Sequence, residues 1–240
     1  DLGFLAAIIE VLQDHGAKVT VAEMCGRAAW PTEKVINDLK VLPVLKRHNV
    51  PFIDFSKDEW LEIPMQTKHW SKVHVPRSIY EAKHRIYLSN MRGHVSTRFS
   101  GVIKLSVGWM SPEDREIMHD DPTQSEEMIA EFNTLWKPDL SFMDMRRSVV
   151  KKDGRGTYIF PNLILASPDM VAIDTEGVRE LQKEKAETRV SVPVEEMKLL
   201  TTARDLGLGR MDYDLVESEP HLFNSYGMGP SDGGVMYPIP

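Results

Sequence analysis

Residues 18–24 read KVTVAEM and residues 50–55 read VPFIDF, and a helical pattern that opens at Trp30-Pro31-Thr32 lies between them. The β-branched residues of the two short runs favour strands, because branched side chains pack well on a pleated surface. An amphipathic helix precedes the first run, with apolar residues at helical spacing, namely Leu2, Leu5, Ile8, Ile9 and Leu12. This alternation predicts an α/β fold with a mainly parallel sheet and helices on both faces.

The same alternation continues along the chain. Further strands are predicted at residues 85–90, 140–143, 158–166 and 212–216, and further helices at 112–119, 126–136, 169–184 and 193–206. Residues 57–78 have no clean period and predict an irregular insertion or a β-ribbon. Residues 217–240 are rich in Gly, Pro, Ser and Asp and predict a flexible tail. We therefore expect one α/β domain over residues 1–216, with a further strand N-terminal to Asp1, because such domains seldom open on a helix.

Composition excludes several classes of protein. The 240 residues are 42% hydrophobic, which is enough for a core. The chain has 29 Lys and Arg against 36 Asp and Glu, and the resulting net charge of −7 argues against nucleic-acid binding. No apolar run approaches the roughly 18 residues of a membrane span. The single cysteine, Cys25, excludes an intramolecular disulfide and any all-cysteine iron–sulfur cluster within this chain. These features predict a cytoplasmic protein.

Acidic residues stand at the carboxyl ends of several predicted strands: Glu23, Asp54, Asp144 and Asp169. In open α/β sheets, ligands bind in the crevice outside those ends, where a carboxylate serves as metal ligand or general base. The other interpretation is that such a residue caps the helix that follows. Asp169, directly before the predicted helix, fits that interpretation well.

The densest set of polar side chains lies in residues 91–119, MRGHVSTRFSGVIKLSVGWMSPEDREIMH. Cations beside hydroxyls and glycines suit the binding of a carboxylate or phosphate. The predicted ligand-binding residues are Arg92, Ser96, Thr97, Ser100, Lys104 and Arg115. The P-loop pattern GxxxxGK[ST] and the dinucleotide fingerprint GxGxxG do not occur in the sequence. The alternative is a solvated loop whose cations pair with Asp144 and Asp174.

Candidate catalytic residues follow from the same segment. His94, His119 and Asp144 are predicted to transfer protons, because histidine titrates near neutral pH. Together with Glu23 they are also the candidate ligands of a divalent metal, although no HExxH spacing supports that site. Cys25 is either a nucleophile activated near a helix N-terminus or a small packed cysteine.

Five segments carry a family resemblance. Residues 92–108, RGHVSTRFSGVIKLSVG, followed by Asp114-Arg115 and His119, resemble the bacterial and archaeal domain of unknown function family 362. The other matching segments are VLQDHGAKVTVAEM at 11–24, PDLSFMDM at 138–145, LILASPDMVAIDTEG at 163–177 and ARDLGLG at 203–209. The resemblance covers residues 1–216. It departs from the family at residues 146–156, RRSVVKKDGRG, where a glycine-proline turn is usual.

The resemblance implies a link to anaerobic redox metabolism, because members often carry, or are encoded beside, ferredoxin-like four-iron four-sulfur modules. A ferredoxin-like partner is expected on that ground. Three functions stay open at this point. The protein is an enzyme acting on an anionic small molecule at the strand ends, a non-catalytic module that docks an iron–sulfur electron carrier, or a metal-dependent hydrolase or isomerase.

Overall fold

The computed structural model describes residues 1–25, 30–94, 96–150, 158–183, 190 and 192–218. Its helices are α1 Leu2–Asp14, α2 Thr32–Asp38, α3 Val41–Arg47, α4 Arg77–Tyr80, α5 Pro112–Asp120, α6 Ser125–Phe132, α7 Met170–Lys183 and α8 Lys198–Asp205. Its strands are β1 Val21–Glu23, β2 Phe52–Asp54, β3 Trp60–Pro64, β4 Lys72–Pro76, β5 Ile86–His94, β6 Arg98–Ser100, β7 Leu140–Val149, β8 Tyr158–Ile159 and β9 Ile164–Ser167. Short 3₁₀-helices lie at Phe55–Lys57, Ile103–Trp109, Asn133–Leu135 and Val194–Glu196. The expected mixture of helices and strands is confirmed.

The described strands form three small sheets of mixed direction. β1 pairs with β2 in parallel, and β3 pairs with β4 in antiparallel fashion. In the central sheet β5 and β7 are parallel, while β6 lies antiparallel to β5, and β8 and β9 lie antiparallel to β7. The prediction of a mainly parallel sheet is therefore not confirmed.

Short connections explain the antiparallel pairs. Residues 95–97 alone join β5 to β6, and eight residues, 150–157, join β7 to β8, whereas a parallel crossover needs about a dozen residues or more. The predicted strand at 158–166 is interrupted at residues 160–163, where Asn162 has a φ of +59°, and both halves lie antiparallel to β7. The pattern of alternating apolar residues does not predict this interruption.

The insertion at residues 57–78 is the antiparallel ribbon β3–β4, in which Trp60 lies opposite Pro76 and Pro64 opposite Lys72. Trp70 anchors the tip of this ribbon, because its indole Nε1 donates to the carbonyl of Met128 at 3.0 Å. The β-ribbon alternative is thus the correct one.

The predicted edge strand at residues 212–216 is wrong, since these residues belong to no strand. Side-chain hydrogen bonds, rather than the backbone hydrogen bonds of a β-sheet, attach this segment to α7. Arg179 of α7 donates to the Tyr213 hydroxyl, and that hydroxyl donates to Glu176.

Alternate residues of the central sheet face opposite ways, and helices contact both faces. On one face, Gly177 of α7 lies against Met143 of β7. On the other, Phe4 of α1 meets Phe142 edge-on, with ring centroids 6.1 Å apart. A second, smaller hydrophobic cluster, formed by Ile9, Leu45 and Val50, packs α1 against α3.

The 3₁₀-helix Ile103–Trp109 is fixed at its start by α7. The carboxylate of Asp174, fully buried, accepts the backbone N–H groups of Val102 at 2.6 Å and Ile103 at 2.9 Å. Burial raises the pKa of Asp174 to about 7 in spite of these two bonds. The Asp174 carboxylate therefore binds the backbone N–H groups of Val102 and Ile103. The alternative, in which Asp174 neutralises the cations of the loop, is wrong.

No helix among the described residues is long and apolar enough to cross a bilayer.

Candidate functional site

His94 ends β5, and the turn that follows fixes its ring. The backbone N–H groups of Ser96 and Thr97 donate to His94 Nδ1 at 3.3 and 3.4 Å, and both hydroxyl oxygens lie 3.2 Å from the same atom. A backbone N–H can only donate, so Nδ1 is an acceptor and the proton of the neutral imidazole is on Nε2. The predicted ligand-binding residues Ser96 and Thr97 thus orient a histidine in this structure.

Lys104 lies on the 3₁₀-helix Ile103–Trp109, with its Nζ 3.2 Å from His94 Nε2. An ammonium has no lone pair, so an Nε2–H can bond to Nζ only when Lys104 is a neutral amine. Desolvation, helped by the charges of Arg92 and Arg115, lowers the pKa of Lys104 to about 8. Hydrogen-bond geometry and electrostatics therefore agree that the amine form is accessible near neutral pH.

Arg115 of α5 has one satisfied nitrogen and one open edge. Its Nη1 donates to the carbonyl of Cys25 at 3.3 Å, whereas the buried Nε and Nη2 have no hydrogen-bond partner among the described residues. Those two nitrogens form one edge of the guanidinium, which matches the two oxygens of a carboxylate. A buried cation with unmade hydrogen bonds is costly, so this edge is the strongest sign of an anion site.

Glu23 ends β1 and lies against the 3₁₀-helix that carries Lys104. Its Oε1 accepts the N–H of Met24 at 2.7 Å, and a Cβ added to Gly108 would come within 2.9 Å of the same oxygen. Desolvation raises the pKa of Glu23 to about 7, although the Met24 N–H and the charge of Arg115 oppose the rise. Glu23 still has exposed surface.

Arg92 and Ser100 face each other across the β5–β6 pair. Arg92 is exposed and Ser100 is buried. We call Arg92, His94, Lys104 and Arg115 the cation cluster, with Glu23 at its edge. Within the described part of the chain, none of its Lys or Arg side chains forms an ion pair with a carboxylate within 4.0 Å.

Two predicted catalytic residues have other partners, a backbone carbonyl for His119 and an arginine side chain for Asp144. His119 lies in the last turn of α5, where its Nδ1 is 2.7 Å from the carbonyl oxygen of Arg115. Asp144 of β7 receives two hydrogen bonds from the guanidinium of Arg146, at 3.0 and 2.7 Å, and a third from the Arg146 backbone N–H at 3.1 Å. Burial alone would raise the pKa of Asp144, but the bonds and charge of Arg146 lower it below its usual value. The structure thus gives no support to Asp144 as a proton donor or as a partner of Lys104.

The metal site predicted over Glu23, His94, His119 and Asp144 is not assembled. Among the residues that the structure describes, no group of three or more His, Cys, Asp or Glu side chains is placed to hold one metal ion. Asp144 is instead bound by the guanidinium of Arg146, which is the physical reason. A metal bound in another arrangement stays an untested prediction.

A separate groove lies at the carboxyl end of β2, lined in part by Glu33, Asp54, Lys57 and Ser78. Its charged groups pair with one another, although Asp54 Oδ2 and the Ser78 hydroxyl have no hydrogen-bond partner among the described residues. Asp54 Oδ1 accepts the N–H of Ser56 at 2.9 Å, and Lys57 Nζ lies 3.2 Å from Glu33. The groove therefore lacks the set of cations without carboxylate partners that marks the cation cluster.

Asp169 caps α7, as the sequence indicated. Its Oδ1 accepts the N–H groups of Val171 at 2.8 Å and Ala172 at 2.9 Å. Sequence reasoning missed the carbonyl of Cys25 as a partner of Arg115, because every residue has a carbonyl and no side-chain pattern marks the one that is used.

Comparison with known proteins gives one finding. The sequence model of the family described as Domain of unknown function (DUF362) matches residues 1–179. No curated protein matches the chain. The matched range contains the whole cation cluster and Glu23.

Proposed function

Because this chain belongs to the DUF362 family, whose description names no activity, we propose a function from the site itself. The protein is an enzyme that binds an anionic small molecule at the cation cluster and exchanges protons with it. The observation that carries this proposal is the open Nε and Nη2 edge of Arg115, close enough to Lys104 for the two charges to interact.

Charge supports the binding of an anion. The chain as a whole carries a net charge of −7, yet Arg92, Lys104 and Arg115 are grouped without a carboxylate in ion-pair contact among the described residues. Such a grouping is unfavourable unless a counter-charge arrives. We assign Arg115 to the anion directly and Arg92 to its outer side, where it is exposed.

Proton chemistry supports an enzyme over a passive binding surface. Glu23 has a pKa of about 7 and Lys104 of about 8, so each changes charge close to neutral pH. General acids and bases work best when their pKa lies near the working pH. We assign proton transfer to these two residues. His94 positions the Lys104 amine through the 3.2 Å contact.

The link to anaerobic redox metabolism and to a ferredoxin-like partner rests on the family resemblance alone. The alternative of a docking module for an iron–sulfur carrier has the same support. Both stay predictions, as does the cytoplasmic location.

Isothermal titration of the full chain with inorganic phosphate, sulfate and L-lactate tests the anion site. Arg115→Lys removes the two-nitrogen edge and keeps the charge, so we expect a loss of about 1.5–3 kcal/mol, the scale of hydrogen bonds to charged groups. Lys104→Met should also weaken binding. The matched controls are Arg204→Lys and Lys34→Met, both at exposed positions. Equal affinity of all five proteins for every anion would contradict the proposal.

A further inference from the structure

We propose that Lys104 is a nucleophile that forms a Schiff base with a 2-oxo acid, whose carboxylate is bound by the Nε and Nη2 edge of Arg115. This inference rests on the proposed anion site and names its substrate class. It also gives Lys104 a covalent role, whereas the proposed anion site requires only its positive charge.

The first support is the hydrogen-bond network around His94. The backbone N–H groups of Ser96 and Thr97 place the imidazole proton on Nε2, which faces Lys104 Nζ at 3.2 Å. The network therefore selects the neutral amine of Lys104, and the neutral amine is the form that attacks a carbonyl carbon. A lysine that only attracts anions would be placed where it keeps its proton.

The second support is the set of charges around Lys104. Burial and the nearby Arg92 and Arg115 all disfavour an ammonium at this position. Desolvation and neighbouring cations are the two means by which a lysine is activated as a nucleophile. The same two arginines would attract an anionic substrate, so one arrangement both activates the amine and recruits its target.

The third support identifies the substrate class. Arg115 offers two nitrogens on one edge, which suits a carboxylate, and Lys104 offers an amine, which suits a carbonyl carbon. A molecule that satisfies both has a carboxylate and a carbonyl close together, and a 2-oxo acid has them on adjacent carbons. The Arg115 nitrogens are buried, so the carboxylate reaches them only when neighbouring residues shift.

The reaction is balanced with the groups at hand. The Lys104 lone pair forms a bond to the carbonyl carbon, the C=O electron pair moves to oxygen, and a proton passes from nitrogen to that oxygen. Glu23, whose pKa is about 7, then gives a proton to the resulting hydroxyl, which leaves as water while the nitrogen lone pair forms the C=N⁺ bond. Glu23 is left ionised, and hydrolysis of the iminium returns its proton.

Borohydride trapping tests the inference on the full chain. The protein is incubated separately with pyruvate, oxaloacetate and 2-oxoglutarate, sodium borohydride is added, and intact mass and peptide mapping follow. Hydride addition to the iminium carbon would leave a stable secondary amine. We expect one adduct per chain on Lys104 with at least one of these acids, and no adduct with L-lactate, which lacks the carbonyl. Lys104→Met should give no adduct, whereas the exposed control Lys34→Met should react like the wild type.

The outcomes separate the two proposals. Adducts on Lys104 support the Schiff base directly and do not depend on whether any variant folds. If the titrations show binding of phosphate or lactate that depends on Arg115, but no 2-oxo acid modifies Lys104, the covalent role is wrong and the anion site stands. Adducts spread over surface lysines at equal yield would also overturn the covalent role. Absence of both binding and adducts overturns both proposals.

Discussion

A Cβ added to Gly101 would lie 2.3 Å from Oδ1 of Asp174. The missing side chain of Gly101 is therefore what lets α7 bring a carboxylate to the start of the 3₁₀-helix Ile103–Trp109. Because that helix carries Lys104, the position of the amine depends on a contact that involves no cation.

Replacing Gly101 should destabilise the fold. In Gly101→Ala the new methyl group also meets Phe99 at 2.6 Å and Met143 at 2.8 Å, both in the core. We expect a loss of about 1–3 kcal/mol in the free energy of unfolding, measured by urea denaturation, which is the usual cost of overpacking. Gly93→Ala is the control, because its nearest neighbours would be 3.8 Å away. Equal losses in the two variants would show that the close contact has no energetic weight.

Asp174→Asn should cost about 1–3 kcal/mol, because the amide nitrogen would face one of the two backbone N–H donors and leave it unpaired. The variant should also change the pH dependence. The folded pKa of Asp174 is about 7 against an ordinary 3.8, so its protonation stabilises the folded state below about pH 4, and this contribution is lost as the pH rises through 7. Urea denaturation from pH 4 to pH 7 should therefore show a shallower decline for Asp174→Asn than for the wild type. Parallel curves would contradict the raised pKa.

Lys104→Met should make the protein more stable at pH 7 while it weakens anion binding. The folded pKa of Lys104, about 8, lies below the ordinary 10.5, so the folded state resists protonation at neutral pH. The wild type should recover stability as the pH rises from about 8 to 10.5, and the advantage of the variant should shrink accordingly. Chemical denaturation at the two ends of that range gives the comparison, with Lys34→Met as the exposed control. A variant less stable than the wild type at pH 7 would show that Lys104 has a structural role.

Arg146→Lys should lower stability and spare the site. Lysine cannot reproduce the two bonds that Arg146 makes to the buried carboxylate of Asp144, so we expect a loss of about 1–3 kcal/mol. The pair lies outside the cation cluster, so affinity for phosphate and lactate should be unchanged. If Arg146→Lys also lowered the affinity for phosphate or lactate, Asp144 would have a role in the anion site.

Local features of the fold were predictable from the sequence. Strands β1 and β2 follow from their β-branched runs, and the Asp169 cap follows from its place before Met170. Most helices follow from apolar periodicity, whereas the short helices α3 and α4 were not predicted. The direction of the sheet was not predictable in this way. It depends on the lengths of the connections between strands, which do not alter the apolar pattern.

The candidate site was predictable in composition and not in arrangement. Arg92, His94, Lys104 and Arg115 were found because they crowd one segment of the chain. The distinction between Glu23, which the fold brings to Arg115, and Asp144, which Arg146 occupies two residues later, depends on tertiary contacts. The imidazole tautomer of His94 depends on backbone N–H directions, which side-chain identities do not encode.

The second hydrophobic cluster, formed by Ile9, Leu45 and Val50, has a consequence for Glu23. Val21, at the start of β1, packs on this cluster, whereas Met24 packs in the main core, so Glu23 lies between residues of two separate cores. A substitution that loosens the small cluster would therefore alter the position of the Glu23 carboxylate without touching any residue of the cation cluster.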